Sequence, residues 1–188
     1  MFSKILIRLV DQAIVPAILL LVSRVTSMLL LSAIFNVPYE LTNKGFTFLE
    51  VSDYVRINSY SMLFMLVCVF VGLLYIMLKS FIFHDTHINP VLAARLFTLR
   101  LDSFIQASFD LYSQGAVWLS YLYLLTVVII AMVFTGMLYS WIFVVAFIMS
   151  IVATVLLVFD IENELEYTKD SKEEQADSLD EYVLEMEV

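Results

Sequence analysis

The chain has one cysteine, three prolines and four glycines in 188 residues, and its longest uncharged stretch holds no ionisable acid, base or histidine at all. Cys68 lies within an apolar run, so no intrachain disulfide can form, which excludes four-span proteins whose outer loops are stapled by disulfides. No Asn-x-Ser/Thr acceptor for glycosylation occurs. Four glycines leave little material for a phosphate-cradling loop, and there is no nucleophile elbow and no cysteine–histidine pairing. Catalytic material is short, no cofactor is expected, and nothing points to a nucleic-acid partner.

The absence of charge matters most between Gly115 and Asp160, where Ala116 to Phe159 run for 44 residues without a charged side chain. A helix of that length measures about 66 Å, roughly twice the ~30 Å hydrocarbon core of a bilayer. Thr135, Gly136 and Ser140 sit near its middle, so the stretch is read as two spans joined by a tight turn. A hydrophobic fraction of 62% and a mean hydropathy of +0.92 place the whole chain among polytopic membrane proteins.

The net charge of −9 is not spread evenly. Residues 160–188 carry 12 of the 19 acids with only Lys169 and Lys172 as bases, so the rest of the chain is nearly neutral. The expected fold is therefore an all-α integral membrane protein: a four-helix transmembrane bundle with amphipathic interfacial helices and an acidic cytoplasmic tail. Its spans are placed at about 15–35, 59–83, 116–135 and 138–159. Residues 1–14, with Lys4, Arg8, Asp11 and Gln12 at helical spacing, read as an interfacial helix ending near Pro16. The long apolar region that follows reads as an uncleaved first span.

Residues 90–114, opened by Asn89-Pro90, read as a second amphipathic helix whose polar stripe includes Arg95, Asp102 and Asp110. Residues 161–188 read as a largely disordered tail. Between the first two spans, Thr42-Asn43-Lys44-Gly45 is a turn signal; residues 37–58 fit either a hairpin of Tyr39–Thr42 with Phe46–Val51, or a helix start capped by Thr47 and Glu50.

Lysine and arginine set the expected orientation. With a cytoplasmic amino terminus that side receives seven of them, against Lys44 and Arg56 outside. Both termini are thus expected in the cytoplasm, with Gly136 facing outward, Trp118, Tyr121 and Tyr123 at the inner interface, and Tyr139 and Trp141 at the outer one. A bacterial-type inner membrane is compatible with the missing disulfides and glycosylation acceptors.

Arg24 is the sharpest candidate for function, because it falls about ten residues into the first span, near the expected bilayer middle. An arginine there costs at least ~2.5–3.5 kcal/mol unless paired or hydrated. At the same expected depth lie Gly72 and Tyr75, Thr126, and Ser150 and Thr154, with no carboxylate among them. Arg24, Thr126, Ser150 and Thr154 form the expected intramembrane polar site. Ala146, Ser150 and Thr154, four residues apart, form a small-residue packing face.

His84, Asp85 and His87 lack further ligands at metal-site spacing and read first as turn and cap residues. In the tail, Leu179, Tyr182, Val183 and Met186 recur at helical spacing and offer a docking face for a partner. The leading reading is a non-enzymatic structural or accessory subunit, associating with other membrane proteins or with itself within the lipid bilayer. The alternatives are a small oligomeric channel or transporter with Arg24 in an anion path, and a membrane enzyme with a metal at His84, Asp85 and His87.

Overall fold

The computed structural model describes residues 2–43, 45–83, 95, 98, 99 and 108–186, with side chains for 7, 9–43, 45–81, 95, 98, 99 and 110–163. Four helices, each containing a stretch long and apolar enough to cross a membrane, account for most of them: α1 (Phe2–Ile34), α2 (Val51–Phe83), α3 (Ser108–Phe134) and α4 (Ser140–Met186). Between α1 and α2 stands a two-stranded antiparallel hairpin, β1 (Tyr39–Thr42) and β2 (Gly45–Phe48). The chain is a multi-pass helical membrane protein.

α2 is the central helix, packed against α1, α3 and α4, while α1 also packs against α3 and α3 against α4. The core explains this arrangement. Met62, Met65, Leu66, Val69, Leu73 and Ile76 recur at three- and four-residue spacing on α2, and Trp118, Leu122, Leu125 and Ile129 do so on α3. Leu138, Ile142, Ala146 and Ala153 complete the seam from α4. Such spacing keeps one stripe of each helix facing its neighbours. Gly72 lets α2 and α3 approach, because a Cβ there would collide with the Trp118 ring. Trp118 is therefore a buried core residue, 9% exposed, and not the interfacial anchor its chemistry predicts. The opposite stripes remain open, with Leu21, Val71, Leu78, Val127 and Phe147 among the exposed residues, as expected of surfaces facing lipid.

α1 is not interrupted at Pro16, which lies inside the helix and is fully buried. Proline supplies no backbone donor and crowds the preceding turn. Tyr121 Oη donates to the Ala13 carbonyl in that turn (3.2 Å), and Ser113 Oγ donates to Gln12 Oε1 (3.1 Å), so α3 supplies donors to the disturbed segment. The expected junction between an interfacial helix and the first span is instead one continuous element.

The open choice over residues 37–58 resolves in favour of the hairpin, with Leu41 opposite Phe46 and Glu40 opposite Thr47. Its apolar face rests on the bundle, Phe46 and Phe48 packing against Met28, Val37 and Ile57. Helix α2 starts at Val51, eight residues before the expected boundary. At the other limit, the backbone of α4 continues helically to Met186, where a largely disordered tail was expected.

Two turns close at one end of the molecule, the hairpin end. Asn36 (φ 53°) ends α1 and Gly136 (φ 73°) ends α3. In each, the left-handed residue and its successor donate back to the last helical carbonyls: Asn36 to Ala33 and Val37 to Ser32, Gly136 to Val133 and Met137 to Met132.

Candidate intramembrane polar site

The polar side chains of α1 and α2 meet along one seam. Ser27 Oγ and Ser61 Oγ lie 2.6 Å apart, which fixes the level at which these antiparallel helices pair. At that register the Arg24 backbone stands level with residue 64. Its guanidinium nevertheless bonds Ser61 Oγ through Nη1 (2.9 Å) and Asn58 Oδ1 through Nη2, three and six residues nearer the hairpin end. The side chain thus climbs about 5–9 Å along the axis. Helical side chains ordinarily lean toward the amino terminus of their helix, so Arg24 leans against that default to reach its partners.

Asn58, 0% exposed, is the hub of the seam. Its Nδ2 donates to the Met137 carbonyl in the turn between α3 and α4 (2.9 Å), and the neighbouring Ser59 Oγ accepts from the Tyr139 amide (2.9 Å). Two adjacent residues of α2 therefore pin the α3–α4 turn, and the first of them also holds Arg24.

These contacts define the depth of the site. From Asn58 to Lys79 is 21 residues of α2, about 32 Å; from Ser140 to Asp160 is 20 residues of α4, about 30 Å. Both match the ~30 Å hydrocarbon thickness, so a bilayer core fits between the Asn58–Tyr139 level and the Lys79–Asp160 level. The backbone of Arg24 lies inside that slab, but its guanidinium lies at the boundary, beside the α3–α4 turn. With the bilayer so fitted, the cation of Arg24 lies nearer the boundary than its own backbone does.

A second polar pair joins α3 to α4, near the middle of the Ser140–Asp160 interval. Thr126 Oγ1 and Ser150 Oγ are 2.9 Å apart, each also within bonding distance of the carbonyl one turn back, of Leu122 and Ala146; with one proton apiece, one hydroxyl donates across the pair and the other to its carbonyl. Ser150 is ten residues from either end of the Ser140–Asp160 interval. Thr154 Oγ1 bonds the Ser150 carbonyl (2.7 Å) and Tyr123 Oη. Beside these residues α3 and α4 leave an open, almost wholly apolar recess of about 370 Å³, walled by Val127, Phe147, Ile151 and Val155.

Of the expected polar site, then, Thr126, Ser150 and Thr154 come together and Arg24 stands apart with Asn58 and Ser61. The packing face of Ala146 and Ser150 is buried, and it serves α3 within the chain. Asn58, Ser61, Ser27 and Met137 were missed as site residues. Ser23, Ser27, Asn58 and Ser61 carried a signal, being polar at three- and four-residue spacing inside apolar helices. His84, Asp85, His87 and Asp102 lie outside the described residues, as do the side chains of Leu179, Tyr182, Val183 and Met186. Among the described residues, no group of three His, Cys, Asp or Glu side chains is placed to hold a metal ion. No protein-family model, curated protein or solved structure matches the chain.

Proposed function

We propose that this protein is a non-enzymatic structural or accessory subunit that lies beside another membrane protein within the bilayer. The observation that carries the reading is the α3–α4 cavity at mid-slab. A lipid-facing helix pair normally presents a smooth apolar surface, whereas here α3 and α4 leave a concave, almost wholly apolar recess whose neighbouring hydroxyls, Tyr123 and Thr154, already bond each other. An apolar side chain from an adjoining transmembrane helix fills such a recess by van der Waals contact.

In this reading both termini are cytoplasmic, and the acidic helix with Leu179, Tyr182, Val183 and Met186 supplies a second contact with the same partner. The test is purification of the full chain in mild detergent beside Ile151→Trp, which fills the cavity from an exposed position. The expected result is a co-purifying protein, or a second copy of the chain, lost at least fivefold in the variant with no change in melting temperature. A monomeric wild-type protein that brings down no partner refutes the reading.

A further inference from the structure

We infer that the guanidinium of Arg24 binds the phosphate of a phospholipid at the hairpin-end boundary of the membrane, a role independent of the partner proposed for the α3–α4 cavity. The α2 acceptors of Arg24 are both neutral, Asn58 and Ser61, so they orient the cation without cancelling it. Those bonds use two of the five guanidinium N–H groups. Arg24 is half-buried, and Leu21 and Val25 beside it on α1 are exposed, a surface suited to acyl chains.

Depth selects the ligand. The guanidinium lies level with the α3–α4 turn, at the hydrocarbon boundary, and lipid phosphates lie several ångströms beyond it, within reach of a headgroup drawn slightly inward. Arginine suits phosphate because its planar fork offers two parallel N–H bonds. A second cation stands in the same layer: Arg56, two residues before Asn58, is exposed and packs 5.7 Å over the Phe35 ring. Phe35 leads through Tyr60 to Trp141, an aromatic row of the kind that settles at headgroup level.

The experiment measures melting of delipidated full-length protein in detergent. Phosphatidylglycerol, diacylglycerol with the same acyl chains, and inorganic phosphate are added separately to the wild type and to Arg24→Gln, whose amide keeps hydrogen-bonding capacity without charge. Phosphatidylglycerol should raise the wild-type melting temperature by several degrees, diacylglycerol and inorganic phosphate should not, and Arg24→Gln should lose the increment. An equal shift with diacylglycerol, a shift reproduced by inorganic phosphate, or an unchanged increment in Arg24→Gln overturns the proposal. So does a variant that sheds a co-purifying protein while keeping the lipid shift, since the cation then serves a protein carboxylate. If Arg24→Gln fails to fold, the wild type decides alone: a phospholipid with a photoreactive headgroup should label α1 around residues 20–28, and labelling confined to other segments refutes the site.

Discussion

Asn58 Nδ2 donates to the backbone carbonyl of Met137 across 79 positions of sequence, 2.9 Å apart, while its Oδ1 accepts from Arg24. One buried amide therefore ties α1, α2 and the α3–α4 turn, using each of its two polar atoms on a different element. Replacing it with leucine strands the Met137 carbonyl and removes an acceptor from the cation. Leaving such groups unbonded costs about 1–3 kcal/mol, more where one is charged. Asn58→Leu should thus lower the melting temperature in detergent by several degrees. Asn58→Asp keeps the acceptor for Arg24, now with a charge that pairs the cation, but sets an oxygen against the Met137 carbonyl, so it should fall between the leucine variant and the wild type. Equal melting of all three proteins refutes the hub.

Gly72 and Trp118 predict a steric effect with no polar component. A methyl at position 72 meets three ring carbons within 2.7 Å, and the indole is itself buried, so ring or helix must move. Overpacking of this kind costs about 1–3 kcal/mol. Gly72→Ala should destabilise the bundle, and Trp118→Phe should recover part of the loss when combined with it. The two effects should be non-additive in a double-mutant cycle. Additive losses place the strain elsewhere.

The division between what could and could not be read from the sequence follows from these contacts. Four spans were legible because an apolar run of bilayer length has few places to be buried except in lipid, and the turn at Gly136 because it breaks the longest of them. The hairpin was half legible, since Thr42-Asn43-Lys44-Gly45 names a turn but cannot say which flanking residues pair. The partner of Arg24 was not legible, because depth counted in residues assumes that a head group stays level with its own backbone. A long flexible side chain that climbs toward the boundary breaks that assumption. Trp118 failed for a related reason: composition gives the chemistry of an indole, but only the facing Gly72 makes room to bury it.

The two left-handed residues give a conformational prediction. At Gly136 (φ 73°) an added methyl would meet no atom within 4 Å, so any cost of substitution there is backbone strain alone. Gly136→Ala should cost about 1 kcal/mol. Gly136→Asn should cost less, because asparagine already holds the equivalent position at the end of α1 in Asn36 (φ 53°). Equal losses for alanine and asparagine refute a φ-based origin.

Ser27 and Ser61 offer a direct check on the α1–α2 register. Their oxygens approach to 2.6 Å, near enough for a pair of cysteines to close a ~2.05 Å S–S bond with small rotamer changes. In a Cys68→Ala background, Ser27→Cys with Ser61→Cys should cross-link nearly completely under mild oxidation. The control pair, Ser27→Cys with Phe64→Cys, should stay largely reduced, because residue 64 is level with Arg24. Preferential closure of the control would shift the register by about one turn, and with it the conclusion that Arg24 climbs toward Asn58.

The slab itself can be mapped with single cysteines on α4 and the turn before it, again without Cys68. Trp141, Phe147, Ile151 and Phe159 are all exposed on the protein surface, so differences in their labelling report lipid cover and not burial in the bundle. In membranes, a water-soluble maleimide should label cysteine at Met137 and Asn163 readily, at Trp141 and Phe159 weakly, and at Phe147 and Ile151 hardly at all. The interval of protection should then be close to 20 residues, as Ser140–Asp160 demands. Repeating the labelling on intact cells with a membrane-impermeant reagent tests orientation. Cytoplasmic termini require that Met137→Cys react from outside while Asn163→Cys reacts only after the membrane is opened. The reverse pattern would invert the topology but leave the depth of the Asn58 level, and of the arginine bonded to it, unchanged.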